Sequence, residues 1–192
     1  MGKLTDALFK QIDIHGFVKN GRNWIKVSPP FHFIINLQSS KFNDDAESFT
    51  LNVAVFSTQI YELVWQKSAP VNPKETDSVF RVRISHFMSN NNKKDLWWEL
   101  RQSEDIPAVL EQVNIALQRV MTFFKKLNDY NDLETAMQSL PKRDLAFPLV
   151  QIQLACIYYA MGNTGLATNK LSIVGEDEVW GDNAKKILIA IT

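Results

Sequence analysis

An α+β fold is predicted: an antiparallel sheet of about five strands, an N-terminal helix and a long helix packed on it, and C-terminal helical hairpins after them. Three observations carry this. Short runs rich in Ile, Val and Phe, parted by turn signals, fill residues 23–100. The apolar spacing then lengthens to three and four residues from Ile106 onward, and Pro141 and Gly162 divide the last third into helical pieces.

Taken in order, Leu4, Leu8, Phe9 and Ile12 recur at helical spacing ahead of Gly16, predicting a short amphipathic helix closed by that glycine. Residues 23–27, 31–37 and 49–56 follow as strands, bounded by Asn20-Gly21, Pro29-Pro30 and Asn43-Asp44-Asp45. In the third of these, Leu51, Val53 and Val55 alternate with Asn52, Ala54 and Phe56, which predicts one wetter face. Residues 79–84 and 96–100 supply two more strands, with polar loops at 68–77 and 89–94. Ile106, Val109, Leu110, Val113, Leu117, Val120, Phe124 and Leu127 mark one stripe of a long helix, with Pro107 tolerated in its first turn. Residues 132–140, 146–161, 164–174 and 183–191 complete the chain as helices. Leu133, Ala136 and Leu140 are echoed 31 residues later by Thr164, Ala167 and Leu171, and the stretch from Leu154 through Gly162-Asn163 to Leu171 is similar to one tetratricopeptide hairpin. The domain reading is 1–128 for the α+β unit and 129–192 for a helical extension packed on it.

With 192 residues, 45% of them hydrophobic, the chain can bury a core without disulfide or metal staples. Twenty-one basic side chains balance twenty-one acidic ones, which removes the electrostatic case for nucleic acid or an anionic membrane as partner. Cys156 is the sole cysteine and lies in an apolar run, so a reducing cytoplasmic location is expected. No apolar run approaches the roughly 20 residues of a membrane span, the first residues lack a signal-peptide pattern, and Asp6 stands where a myristoylation motif needs Ser or Thr.

The chain carries few motifs of catalytic or metal chemistry. His15, His32 and His86 have neither the spacing nor the cysteine neighbours of a zinc site. There is no glycine-rich phosphate loop and no Gly-x-Ser-x-Gly elbow, and Cys156 reads as a buried structural thiol. Asp44, Asp45 and Glu47 sit where a hairpin turn favours acidic residues, and Glu176, Asp177 and Glu178 read as a helix cap. No catalytic set, metal or cofactor is expected.

Two polar groupings remain as candidate sites. Gln38 and Ser40 follow an apolar strand and, with Asn52 and Arg83, can rim a pocket between sheet and helices; that reading requires the four side chains to lie within about 12 Å of one another. Trp97 and Trp98 are adjacent, so in a strand they point to opposite faces, one toward a helix and one toward a surface. An exposed Trp with Arg81, Arg83 and Arg101 is the composition of a protein-interaction hot spot.

Leu8-Phe9-Lys10, His15-Gly16-Phe17-Val18-Lys19-Asn20-Gly21-Arg22-Asn23-Trp24, Ile34-Ile35-Asn36-Leu37-Gln38-Ser39-Ser40 and Phe49-Thr50-Leu51-Asn52-Val53 together resemble a bacterial family catalogued as domain of unknown function number 4304. The resemblance is close over about 60 residues and looser to about residue 125. It implies a leading helix, a glycine turn and two strands, brings no catalytic set, and through the company such proteins keep implies binding of the toxin-immunity kind. The functional expectation is a non-catalytic module with a protein partner. The alternative is a small-ligand-binding protein or enzyme using the Gln38, Ser40, Asn52 and Arg83 pocket.

Overall fold

The computed structural model describes residues 2–41, 45–88 and 95–192. The turn signal Asn43-Asp44 and the loop expected at 89–94 lie outside the described residues.

Helix α1 (Lys3–Gln11) forms where the Leu4, Leu8 and Ile12 spacing places it. It stops because Ile12 turns extended, so Gly16, at φ +79°, serves the following turn instead of the helix end. That turn leads into β1 (Val18–Asn20), a strand too short and too exposed to leave a sequence pattern. The first turn of α1 is capped from a distance. The Glu47 carboxylate accepts the Leu4 and Thr5 N–H groups at 3.2 and 2.7 Å and the Thr5 hydroxyl at 2.9 Å. A carboxylate there satisfies free helix donors and meets the positive end of the helix dipole. Gly2 makes room for it, since a Cβ at that position would fall 1.9 Å from the Glu47 carboxyl carbon.

Strands β2 (Asn23–Ser28), β3 (Phe31–Ser39) and β4 (Glu47–Phe56) continue the meander, with a cis peptide bond between Pro29 and Pro30 in the β2–β3 turn. All neighbours are antiparallel in the order β1-β2-β3-β4. Strands β5 (Phe80–Arg83) and β6 (Trp98–Leu100) lie end to end along the remaining edge of β4, opposite residues 52–55 and 47–49.

On one face Phe31, Phe33, Ile35 and Leu37 of β3 join Leu51, Val53 and Val55 of β4 in the main core. Helix α3 (Ile106–Phe124) lays its stripe of Val109, Val113, Leu117, Val120 and Phe124 on that face, with the Phe33 and Phe124 rings stacked at 4.5 Å. Each such side chain, fully buried, contributes roughly 1.5–3 kcal/mol, so this stripe anchors the helix to the sheet.

Helices α4 (Tyr130–Gln138), α5 (Lys142–Leu145), α6 (Pro148–Ala160), α7 (Thr164–Val174) and α8 (Gly181–Ile191) follow. One continuous buried cluster runs from Leu8 to Ile191 and takes in residues of α4, α6, α7 and α8. Helix α6 is apolar nearly all round because other helices surround it. Its hairpin with α7 turns at Gly162, φ +78°, and Asn163 caps α7 by accepting the Leu166 N–H at 3.2 Å.

Helix α2 (Thr58–Trp65) has no counterpart among the expected elements; it spans only eight residues, follows β4 after Ser57 alone, and its apolar positions begin at Ile60. Ser57 accepts the Ile60 N–H as N-cap, and Gln66, at φ +49°, ends the helix. Ile60 and Val64 join the main core, whereas Tyr61 folds over the far face of the sheet onto Ile34, Ala54 and Phe56. This corrects the expectation of a wetter face on β4: every residue from Phe49 to Phe56 is buried.

Candidate binding site

The far face of the sheet carries polar side chains in register. Asn23 pairs with Asn36, Asn36 with Asn52, and Asn52 with Arg83, so four strands place these residues in one row across the sheet. Alternation puts all four on the same face, and their spacing across strands brings neighbouring side chains within reach. Arg83 Nη1 donates to Asn52 Oδ1 at 3.1 Å, Asn52 Nδ2 donates to Asn36 Oδ1 at 3.1 Å, and Asn36 Nδ2 donates to Asn23 Oδ1 at 2.9 Å.

Gln38, one pair along β3, ties the row together. Its Oε1 accepts both Arg83 Nη1 at 2.8 Å and Asn52 Nδ2 at 3.1 Å. A guanidinium only donates, so both amides must turn their oxygens toward it, and the orientation of Asn52 propagates down the row. Asn52 is 1% exposed, and its three hydrogen bonds compensate its burial. Thr50, across from Gln38 on the same face, has a buried hydroxyl with no partner among the described residues.

Arg83 is thus held by neutral oxygens at one nitrogen, and its charge is met only loosely. The Trp97 ring lies 5.4 Å from the guanidinium carbon, a cation–π arrangement. Asp95 comes no nearer than 3.7 Å to Nε, with the two side chains 27% and 53% exposed. Beyond Arg83 opens a cleft of about 1010 Å³ between β5 and the α4–α6 corner, lined by Asn52, Arg81, Val82, Arg83 and, across it, by Leu140, Arg143 and Val150 among others. His86 also lines it, and burial holds its pKa below the usual 6.5.

The four pocket residues inferred from the sequence divide accordingly. Gln38, Asn52 and Arg83 come into hydrogen-bonding contact, and two of them line the cleft. Ser40 lies past the end of β3, where its backbone N–H closes the hairpin on the Ser48 carbonyl at 2.7 Å, and it does not line the cleft. Asn23 and Asn36 were missed; a polar residue inside the apolar strand Phe31–Leu37 is the signal that marks Asn36, whereas Asn23, the first residue of β2, carries no such signal.

The aromatic and basic surface divides too. Trp98, 4% exposed, stacks on Phe49 at 5.4 Å in the core and therefore presents no surface, because its place in β6 directs it to the buried face. Trp97 points the other way and is half-buried over Arg83. Arg81 is exposed in the cleft and lies 3.8 Å from Glu75, whereas Arg101 is exposed beyond β6 and pairs with Glu99 at 3.4 Å.

The remaining chemistry is structural. Glu47 caps α1, Asp45 is exposed, and Asp44 lies outside the described residues. Asp177 accepts the Val179 and Trp180 N–H groups just ahead of α8. Cys156 is buried, which pushes its thiol up to about 12. Among the described residues no three His, Cys, Asp or Glu side chains are grouped to hold a metal ion, and no helix is long and apolar enough to cross a membrane.

No curated protein and no solved structure matches the chain. A family model described as a domain of unknown function, DUF4304, matches residues 8–126, from α1 through α3 and so through every strand of the row and the cleft's sheet wall. Since that match spans well over half of the chain, the protein belongs to the DUF4304 family.

Proposed function

We propose that the protein is a non-catalytic binding module that holds a protein partner in the cleft between β5 and the α4–α6 corner. The observation that carries this reading is Arg83: a cation locked in orientation at the cleft wall by Gln38 and Asn52, with no carboxylate within hydrogen-bonding distance among the described residues. Fixing the side chain beforehand removes the rotamer entropy that a free arginine loses on binding. The cleft favours a macromolecular occupant. At about 1010 Å³ it stands at the upper end of small-molecule pockets, which run to roughly 1,000 Å³. Its walls mix apolar Val82, Leu140 and Val150 with Arg81 and Arg143, as interface centres do.

The test is site-directed photocrosslinking in the native host. A photoreactive side chain at Gln153 or Arg143, both in the cleft, is expected to yield a discrete protein adduct that Arg83→Gln abolishes. The same group at the exposed Val27 or Ile115 is expected to yield none. Equal adducts from all four positions, or none from the cleft, reject the reading.

A further inference from the structure

We infer that Arg83 is the receptor for a carboxylate carried by a peptide segment of the partner, and that Asp95 occupies that receptor until the partner arrives. This deepens the proposed function and rests on the cleft being its binding surface. Arg83 Nη1 is engaged by Gln38 and Asn52, and Trp97 lies over the guanidinium. Among the described residues, the Nε and Nη2 edge makes no hydrogen bond. That edge is a two-pronged donor whose spacing matches the two oxygens of a carboxylate.

Asp95 shows which anion the edge accommodates. Its Oδ2 stands 3.7 Å from Nε, close enough for attraction and too far for a hydrogen bond, and its side chain is half exposed. Such a pair contributes little and yields to a better-placed group. A singly charged carboxylate fits the surroundings better than a dianion, because Asp95 and Asp144 both line the cleft, the latter 3.4 Å from Arg143. Exchange of one carboxylate for another leaves the charge at Arg83 balanced, so the step needs no titration and no structural change in the row behind it.

The test uses the full chain against a library of blocked nonapeptides with a fixed central Glu, a matched library with central Gln, and sodium butyrate as a free monocarboxylate, with binding read from Trp fluorescence and mass spectrometry of the retained peptides. The Glu library is expected to be retained at least about tenfold better than the Gln library, the discrimination of a charge-assisted pair. Arg83→Gln is expected to erase that preference, and Asp95→Asn, which alters only a half-exposed side chain, to strengthen Glu binding about three- to tenfold. Circular dichroism establishes that each variant is folded. Butyrate binding as tightly as the best peptide would overturn the peptide assignment. Retention indifferent to Glu, or Asp95→Asn weakening it, would overturn the receptor while leaving the cleft reading intact, and no retained peptide from either library would count against both.

Discussion

Asn52→Leu tests the row of amides directly. Leucine keeps the approximate volume and stays buried, but removes two donations, to Asn36 and Gln38, and the acceptor for Arg83. The two neutral bonds contribute about 1 kcal/mol each and the charge-assisted one about 1.5–3 kcal/mol. Asn36 Oδ1 is left without its partner, while Gln38 still receives Arg83. Apolar burial of the leucine, worth roughly 1.5–3 kcal/mol, offsets part of the loss. The net expectation is a destabilisation of about 1–4 kcal/mol. Urea unfolding followed by tryptophan fluorescence measures it, with an unchanged m-value showing that the same surface is exposed. A double-mutant cycle with Arg83→Met is expected to return a coupling of at least about 0.5 kcal/mol, since the two side chains are in contact. A variant as stable as the parent, together with strict additivity in the cycle, would refute the claim that burial makes this row interdependent.

Other substitutions probe separate elements. Thr50→Val removes a buried hydroxyl that has no described partner, so stability is expected to hold or rise by about 1 kcal/mol in the same urea assay; a loss of that size would reveal a partner for the hydroxyl. Glu47→Gln is expected to cost about 0.5–2 kcal/mol by weakening the cap of α1. Its pH signature is equally specific. Burial alone would raise the Glu47 pKa, but the Thr5 and Leu4 hydrogen bonds outweigh it and hold the carboxyl below 4.5. The unfolded chain therefore takes up the proton first, so the cap's contribution is complete above about pH 4.5 and fades as pH falls through the lower folded value. Plotting unfolding free energy against pH should show a shallower acid decline in Glu47→Gln, and parallel curves would exclude the cap. Native protein at pH 8 is expected to resist iodoacetamide at Cys156, whose thiol is buried and pushed up to about 12, and to react once unfolded in urea; fast native labelling, read by mass spectrometry, would contradict the burial.

Where reading from sequence succeeded, a single element supplied its own signal. The stripe from Ile106 to Phe124 declares which face is apolar, and burying that face needs no knowledge of the partner element. Where it failed, the deciding contact was distant. Helix α2 went unread because it is only eight residues long and joined to β4 through Ser57 alone, and what holds it is the packing of Ile60 and Tyr61 onto opposite clusters. The wetter face expected on β4 is buried by distant contacts too, Ala54 and Phe56 under Tyr61 and Asn52 among Asn36, Gln38 and Arg83. Gly16 was given to the helix when the backbone uses it one turn later.

The candidate site divides along the same line. Composition and local pattern determined the α+β class, the long helix, the helical hairpin of α6 and α7, and the opposite facing of Trp97 and Trp98, because each follows from the periodicity of one chain segment. They also marked Gln38, Asn52 and Arg83 as polar residues in apolar surroundings. Only the tertiary structure decided that these meet, that Asn23 and Asn36 extend them into a row, that Ser40 is not among the residues lining the cleft, and that Trp98 is core while Trp97 lies over Arg83. The physical reason is register. Residues 31 positions apart, such as Asn52 and Arg83, touch only when two strands are paired at one of many possible offsets, and a slip of one residue would send every such side chain to the other face.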